Sequence, residues 1–253
     1  MRLDRSEVHV WLTRPEAAQG SERLRGYAAL MTPDEREKQA RYYFERDRHA
    51  CLVTRALVRT TLSRYVSRRP DAWRFEKNEH GCPRLVPEQR DSELRFNLSH
   101  TDGLIACAVA RERAVGVDVE HTGRRGETVA IADRYFSAAE VRELRALPQS
   151  RQRDRFFDYW TLKESYIKAR GMGLALPLSQ FSFLIEDDTG ESVARDAPRI
   201  DIRFDTELRD DPLLWQFELE RRSPQHRLAL AVRKGEGPRL QVQVEEIVPD
   251  GGG

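Results

Sequence analysis

Hydrophobic and polar positions follow two different periods along the chain, and together they predict a mixed α and β protein. Apolar residues recur every three to four positions over 47–65 and again over 151–170, a period that is typical of helices buried along one face. Shorter runs that are apolar or alternate in polarity are typical of strands. The predicted strands cover Val8 to Leu12, Trp73 to Glu76, Leu104 to Val109, Val115 to Glu120, Phe181 to Ile185 and Trp215 to Glu220.

The predicted elements occur in the same order twice, which indicates two related halves. TPDE at 32–35 has the capping-box pattern, in which an N-cap Thr or Ser is followed three positions later by Glu, and SAAE at 137–140 repeats it. A charged helix and then one of the long helices follow each box. We therefore expect an α+β fold of two pseudo-symmetric halves, over residues 1–112 and 113–246, followed by a flexible Pro/Gly-rich tail over 247–253.

Composition and charge exclude several classes of protein. The 253 residues carry a formal net charge of +1, which argues against a protein that binds nucleic acid through bulk charge. The longest apolar run, Leu104 to Ala110, is too short to span a membrane, and the charged N-terminus lacks the apolar segment of a signal peptide. Cys51, Cys82 and Cys107 fit neither a disulfide framework nor a zinc site. We expect a cytoplasmic protein with reduced thiols, and neither a nucleic acid nor a membrane as its partner.

Two short strings carry the candidate chemistry. In GVDVE at 116–120, a strand would point Asp118 and Glu120 to the same face, because side chains two positions apart share a face. On the second long helix, Glu164 and Lys168 are neighbours because they lie four positions apart. Three carboxylates and a lysine make a candidate site for Mg²⁺, which prefers oxygen ligands, beside a clamp for phosphate.

Each string also has a plain structural interpretation. Two outward acids on a strand are commonly a solvated face, and a Glu/Lys pair four positions apart is commonly a surface pair on a helix. Arginine is otherwise the default cation, since only five of the 43 basic residues are lysines. Two of these, Lys163 and Lys168, lie close together, which favours a site that needs a compact point charge. We expect Lys163 itself at the surface, in a structural role.

Four motifs, in order along the chain, resemble the 4′-phosphopantetheinyl transferase superfamily. They are FNLSH at 96–100, GVDVE at 116–120, RYFSAAE at 134–140 and WTLKESYIKARGMGLALPLSQFSF at 160–183. The similarity is to the larger branch, the surfactin-synthetase-activating type, which activates peptide, polyketide and fatty-acid synthases. That branch is described as a fused pseudo-dimer with its active site in the cleft between the halves, so the resemblance implies the same fold here.

The resemblance implies the activity of a holo-[acyl-carrier-protein] synthase. Such an enzyme moves the 4′-phosphopantetheine arm of coenzyme A to a serine of an acyl or peptidyl carrier protein and releases adenosine 3′,5′-bisphosphate. By resemblance, Asp118, Glu120 and Glu164 hold Mg²⁺ on the pyrophosphate of coenzyme A. Glu164 accepts the serine proton, directly or through a metal-bound water, and Lys168 neutralises the pyrophosphate as the bond breaks. A single chain that contains both halves is expected to be a monomer.

The resemblance also assigns contacts with coenzyme A. Ser99 and His100, at the end of FNLSH, are expected to hydrogen-bond the pyrophosphate, as Asp118 and Lys168 contact it from the second half. Basic positions that the family uses around the 3′-phosphate and the adenine are matched in the first half by Arg41 and Arg48. The first half is thus expected on the adenine and 3′-phosphate side of coenzyme A.

One turn departs from the family pattern. Where the family usually has Gly-Lys-Pro before an apolar strand, this chain has GCP at 81–83, so the expected basic side chain is missing. Gly81 keeps the turn, but Cys82 cannot contact phosphate as lysine would. Either the adenine end is held more weakly, or another basic side chain compensates. The candidates are Arg84, Lys77 and His80.

The residues alone leave open two functions of other classes. A non-catalytic coenzyme A binding module would keep the phosphate contacts without the chemistry, but it has little need for Glu164 and Lys168 together. A metal-dependent phosphodiesterase or nuclease would also use Asp, Glu and Lys, but the chain lacks the basic groove expected of a nuclease. Which carrier protein and pathway it serves is also left open.

Overall fold

The computed structural model describes residues 1–124, 128–186 and 198–250, and they fall into two compact units. The first unit contains residues 1–79, 83–113 and 240–250, and the second contains 80–82 and the described residues from 114 to 239. The first unit has, in chain order, β1 (Glu7–Thr13), α1 (Ser21–Leu30), α2 (Pro33–Ala40), α3 (Glu45–Ser63), β2 (Phe75–Lys77), β3 (Pro83–Leu85), β4 (Leu94–Thr101) and β5 (Leu104–Arg111). The second unit has β6 (Val115–His121), α4 (Ala132–Tyr135), α5 (Ala138–Ala146), α6 (Gln149–Arg170), β7 (Phe181–Glu186), β8 (Arg199–Phe204), β9 (Trp215–Ser223) and β10 (His226–Arg233). The chain then returns to the first unit with β11 (Gln241–Glu246).

A four-stranded sheet and helix α3 form the core of the first unit. The strands lie in the order β11-β1-β5-β4, with β1 parallel to β11 and antiparallel to β5. Alternate residues of β5, namely Ile105, Cys107 and Val109, share one apolar cluster with Val53 and Leu57 of α3. The helix therefore covers one face of the sheet. The burial of these apolar side chains is the main contribution that stabilises the packing of α3 on the sheet.

A three-stranded antiparallel sheet and the long helix α6 form the core of the second unit. The strands lie in the order β6-β10-β9, and α6 packs against β6 and β10. A separate hairpin pairs β7 with β8. Aromatic rings fill much of this core, and Tyr166 with Phe181 and Phe183 with Phe217 meet edge to face. Rings of this size bury a large apolar area each, which fixes α6 on the sheet.

Both capping boxes are present, so local sequence signals located the helix starts correctly. The side-chain oxygen of Thr32 accepts from the N–H of Glu35, and that of Ser137 accepts from the N–H of Glu140. Both long helices begin two residues earlier than predicted and end within two residues of the prediction. The α+β class and the two-part organisation are confirmed. Of the helices that the structure describes, none is long and apolar enough to cross a membrane.

The C-terminal end of the chain differs from the predicted division. The sequence predicts residues 113–246 in the second half, but β11 pairs with β1 and so belongs to the first unit. The tail is also held in place as far as it is described. The N–H of Ile247 donates to a carbonyl of β1, and the hydroxyl of Tyr27 donates to the carbonyl of Pro249 at 2.6 Å. Residues 251–253 of the predicted flexible tail lie outside the described residues.

Strand β2 begins later than predicted. The prediction starts it at Trp73, but that residue ends a short 3₁₀ turn and its side chain is fully buried. The indole N–H of Trp73 donates to the hydroxyl of Ser63 at 2.9 Å, at the end of α3. Trp73 is therefore held by a tertiary contact of its side chain, and pairing with β3 begins at Phe75.

Candidate active site

Helix α6 lies directly on strand β6 at a glycine. A Cβ atom added at Gly116 would lie 2.1 Å from the carbonyl oxygen of Ser165 and 2.4 Å from the backbone nitrogen of Ala169. Glycine is required here because any side chain would overlap the backbone of the helix. Asp118 and Glu120 follow two and four positions along the strand, so they share the face of Gly116 and point toward α6.

An ion pair joins the two elements. The Nζ atom of Lys168 donates to Oδ1 of Asp118 at 2.6 Å and to the carbonyl oxygen of Val117 at 3.3 Å. Asp118 is buried, whereas the side chain of Lys168 is partly exposed. The structure thus brings a predicted carboxylate of β6 within hydrogen-bond distance of the predicted lysine of α6.

The other two predicted carboxylates lie close enough to Asp118 for their charges to interact. Burial raises the pKa of Glu120 to about 7, and the negative charge of Asp118 adds to the rise. Burial and the charge of Asp118 likewise raise the pKa of Glu164, and the charge of Lys168 opposes that rise. Carboxylates hold protons more tightly in this way when they are desolvated and crowded by like charge. The negative charges of these carboxylates therefore exceed the positive charge around them, and a bound cation would balance them.

Arg124 belongs to this site, and the sequence analysis missed it. Its Nη1 atom lies 3.3 Å from the carboxylate of Glu120, and its guanidinium group lies over the rings of Phe157 and Trp160, at 5.2 and 5.8 Å from their centroids. Its charge also opposes the raised pKa of Glu164. In a chain with 43 basic residues, an arginine beyond the end of a strand has no pattern that marks it.

Lys163 is fully buried, so its predicted surface position is wrong. Its Nζ atom donates to the carbonyl oxygens of Leu178 at 2.7 Å and Phe181 at 2.6 Å, and it lies 2.8 Å from the carboxylate of Glu140. Burial lowers the pKa of Lys163, and the charge of Glu140 opposes that change. The side chain therefore points into the core of the unit, away from solvent.

In the first unit, Ser99 and His100 lie near the end of strand β4. Ser99 is buried and His100 is exposed, because neighbouring side chains on a strand point to opposite faces. His100 lines a cavity of about 670 Å³ together with Arg46 and His49 at the start of α3. A cavity of this volume is in the range that holds small organic ligands and cofactors.

Arg41 and Arg48 do not line this cavity. Arg41 forms an ion pair with Glu37, and its side chain is 73% exposed. Arg48 lies 2.7 Å from the carboxylate of Glu45 and donates to two backbone carbonyls just before α3. The structure therefore does not bring these two arginines together with His100 at the cavity.

The turn that departs from the family pattern belongs to the second unit, with the lysine of α6. Gly81 has a φ of 83°, a left-handed conformation that favours glycine. Burial raises the pKa of the Cys82 thiol, and the charge of Lys168 opposes the rise, so Cys82 lies within electrostatic reach of that lysine. Arg84, a candidate replacement for the missing basic side chain, is engaged with Glu76 at 2.8 Å.

Comparison with known proteins covers both units. The pattern of the family described as "4′-phosphopantetheinyl transferase superfamily" matches residues 114–231, and the pattern described as "4′-phosphopantetheinyl transferase, N-terminal" matches residues 19–112. The chain is also 34% identical to 4′-phosphopantetheinyl transferase Sfp of Bacillus subtilis (strain 168), over 73% of this chain and 78% of that protein. The chain belongs to the 4′-phosphopantetheinyl transferase superfamily.

Further relatives of this transferase come from other groups of organisms. The 4′-phosphopantetheinyl transferase HetI of Nostoc sp. is 36% identical over 67% of this chain and 70% of its own length. The L-aminoadipate-semialdehyde dehydrogenase-phosphopantetheinyl transferase of Mus musculus is 29% identical over 83% of this chain and 69% of its own length. The resemblance inferred from the four motifs is confirmed, and so is the enzyme class.

The donor set of this transferase fits Mg²⁺ in its chemistry. Among residues 1–124, 128–186 and 198–250, no three His, Cys, Asp or Glu side chains form a ready-made metal site. The oxygens of Asp118, Glu120 and Glu164 are nevertheless the hard ligands that Mg²⁺ prefers, and a divalent cation would relieve their mutual repulsion. Lys168 contacts Oδ1 of Asp118, so a cation bound at this carboxylate would share it with the lysine.

Proposed function

We propose that this protein transfers the 4′-phosphopantetheine arm of coenzyme A to a serine of an acyl or peptidyl carrier protein. The reaction is Mg²⁺-dependent and releases adenosine 3′,5′-bisphosphate. The observation that carries this proposal is the close packing of α6 on β6. It holds Lys168 2.6 Å from Asp118 and keeps Glu120 and Glu164 within electrostatic reach of the same carboxylate.

The chemical step needs a base and a means of neutralising charge. The serine oxygen forms a bond to the phosphorus that carries the pantetheine arm, and the bond from this phosphorus to the oxygen of adenosine 3′,5′-bisphosphate breaks. Glu164 accepts the serine proton as the general base. Lys168 holds a positive charge beside the leaving phosphate. When bound by Asp118, Glu120 and Glu164, Mg²⁺ would supply further neutralisation of the pyrophosphate.

The first unit supplies the remaining contacts with coenzyme A in this proposal. His100 binds the pyrophosphate, and the cavity that it lines gives room for a nucleotide-sized group. The side chain of Ser99 is buried on the other face of β4, so this proposal assigns its hydroxyl no contact with the ligand. Arg41 and Arg48 serve the 3′-phosphate and the adenine. Both arginines are now paired with carboxylates, so phosphate must compete with Glu37 and Glu45 for them. From the second unit, Gly81 keeps the turn that the resemblance assigns to the coenzyme A site.

The chain supplies all of the proposed residues itself, so we propose that it acts as a monomer. We also propose a cytoplasmic location, because Cys51, Cys82 and Cys107 are thiols rather than disulfides in the structure, as is usual in a reducing compartment.

Substitution of Glu164 by Gln tests the proposal. The amide keeps the shape of the side chain but cannot accept the proton, so the turnover number should fall on the order of 10²- to 10⁴-fold, with a much smaller change in the dissociation constant for coenzyme A. Glu236→Gln, at an exposed position after β10, is the matched control and should leave both quantities unchanged. Equal losses of turnover and of coenzyme A binding in Glu164→Gln would show that Glu164 only binds the substrate.

Mass spectrometry of a carrier protein incubated with the wild-type chain, coenzyme A and Mg²⁺ separates this proposal from the other two classes. A transferase adds the mass of one phosphopantetheine to the carrier protein. A coenzyme A binding module would bind the ligand and leave the carrier mass unchanged, and a phosphodiesterase would cleave coenzyme A without a carrier.

A further inference from the structure

A buried ion pair connects two of the sequence motifs, and neither of its members is needed for the proposed chemistry. Glu140 is the last residue of RYFSAAE, and Lys163 lies in WTLKESYIK, directly before Glu164. Their charged groups lie 2.8 Å apart, and the side chains are 1% and 0% exposed. A buried charge is costly unless it is paired and hydrogen-bonded, so a pair at this depth must be held by precise geometry.

The ammonium group of Lys163 uses all of its donors. An ammonium has three N–H bonds, and three acceptors surround this one, namely the carboxylate of Glu140 and the carbonyl oxygens of Leu178 and Phe181. The ring of Phe181 also lies 4.2 Å from Nζ, at a distance typical of cation–π contact. Rotation of α6 about its axis would break several of these contacts at once.

Both carboxylate oxygens of Glu140 also accept hydrogen bonds from the backbone. Its Oε2 atom accepts from the backbone N–H of Ser137 at 2.9 Å, which is the capping-box bond at the start of α5. Its Oε1 atom accepts from the backbone N–H of Phe183 at 2.9 Å, in strand β7. The partner of Lys163 is therefore fixed to two other elements, and it cannot follow a movement of α6.

The position of Lys163 beside Glu164 gives this anchor a consequence for the site. Consecutive residues of an α-helix point about 100° apart, so a side chain held at 163 sets the direction of the next one. Glu164 and Lys168 share a face because they lie four positions apart. That face meets β6, where Asp118 pairs with Lys168.

We infer that Lys163 is a positioning residue: its buried contact with Glu140 fixes the rotation of α6 that presents Glu164 and Lys168 to Asp118. The inference rests on the proposed function, since it assigns Lys163 to the same site. Lys163 does not touch the reacting groups in this role. A displacement of about 1 Å in a catalytic group can cost on the order of 10² in rate, so loosening the anchor should lower turnover well before it unfolds the protein.

The double variant Glu140→Gln with Lys163→Met tests this inference. It removes both charges together, because a lone buried charge would destabilise the fold. The single carbonyl oxygen of Gln can keep the capping-box bond from the N–H of Ser137 at the start of α5, whereas the bond from the N–H of Phe183 is lost. We expect a turnover number about 10²-fold lower at a temperature where the variant is folded by circular dichroism, with the KM for coenzyme A changed less than about threefold.

A second buried ion pair on the same helix provides the matched control. Arg227 of β10 donates to Asp158 of α6 at 2.9 Å, and its side chain is 1% exposed. Asp158 lies six positions before Glu164 in the chain. The variant Asp158→Asn with Arg227→Met should keep its turnover number within about threefold of the wild type, because it leaves the Lys163 anchor intact.

Three outcomes would overturn the inference. One is a folded Glu140/Lys163 double variant with wild-type turnover, and another is an equal loss of turnover in both double variants, which would indicate a general structural effect. If the double variant does not fold, Glu140→Asp replaces it, because it keeps both charges and moves the carboxylate away from Lys163 by one methylene, and unchanged turnover there is the third. Failure of the proposed function is recognised separately, because the wild-type chain would then add no phosphopantetheine to any carrier protein.

Discussion

The close approach of β6 and α6 at Gly116 makes one substitution especially informative. In Gly116→Ala the new methyl carbon would lie 2.1 Å from the carbonyl oxygen of Ser165 and 2.4 Å from the nitrogen of Ala169, whereas ordinary contact begins at 3.4 Å. The strand and the helix must therefore separate by roughly 1 Å. Both overlapping atoms belong to the backbone, so a smaller neighbouring side chain, as in Ala169→Gly, cannot relieve the overlap.

The separation should affect activity more than stability. A shift of about 1 Å would lengthen the 2.6 Å bond between Lys168 and Asp118 beyond hydrogen-bond distance, and misplacement on this scale costs on the order of 10² in rate. Overpacking of a core costs about 1–3 kcal/mol, which lowers Tm by about 2–4 °C for each kcal/mol in a chain of this size. The predicted variant is therefore folded at room temperature and about 10²-fold slower.

The rate at which a carrier protein gains phosphopantetheine, measured by mass spectrometry, gives the activity, and thermal unfolding followed by circular dichroism gives the stability. Gly237→Ala is the control, because a Cβ atom at Gly237 meets nothing within 4 Å and its backbone is not in the left-handed region. It should match the wild type in both assays. Gly116→Ala with wild-type rate and wild-type Tm would refute the argument that the backbone contact positions the site.

Three further predictions concern the carboxylates and the turn at Cys82. Asp118→Ala should abolish transfer and leave the circular dichroism spectrum unchanged, whereas near-normal activity in the folded variant would exclude Asp118 as a metal ligand. Because the pKa of Glu120 is raised from 4.5 to about 7, the folded protein binds this proton more tightly than the unfolded chain, and stability falls as pH rises through that window. Mg²⁺ requires the ionised carboxylate, so it should raise Tm more at about pH 8 than at about pH 5.5, and an equal rise at both would contradict the assignment. Cys82→Lys should tighten coenzyme A binding in titration calorimetry by at most about 1.5–3 kcal/mol, and less for dephospho-coenzyme A if the lysine reaches the 3′-phosphate. An unchanged dissociation constant for both ligands would mean that another cation already fills the role.

Much of the candidate site follows from short-range sequence patterns. The strand period places Asp118 and Glu120 on one face, and the helix period places Glu164 beside Lys168. These relations depend only on the geometry of a single element, so they hold wherever the element packs. The capping box that begins α5 is equally local, since its bonds join residues three positions apart.

Contacts between distant parts of the chain could not be predicted from these short-range patterns. β11 pairs with β1 although more than 200 residues separate them. The sequence of β11, QVQVEE, alternates polar and apolar residues at first, but this alternation does not identify the strand with which it pairs. Arg124 is a further example, because it lies beside Glu120 and over the rings of Phe157 and Trp160 in α6, and these contacts form only in the folded chain.

Lys163 shows most clearly what the sequence could not predict and only the tertiary structure determined. By itself the sequence determined that the chain has the motifs of a phosphopantetheinyl transferase, that its elements form an α+β fold in two parts, and that three carboxylates and a lysine lie on matching faces. A lysine in a charged helix favours the surface, because burial of an ammonium is costly. Only the tertiary structure brings Glu140 and two backbone carbonyls around Lys163, and these acceptors make its burial possible. The physical reason is that local periodicity determines which side chains share a face, whereas the compensation of a buried charge depends on groups that the fold collects from distant positions.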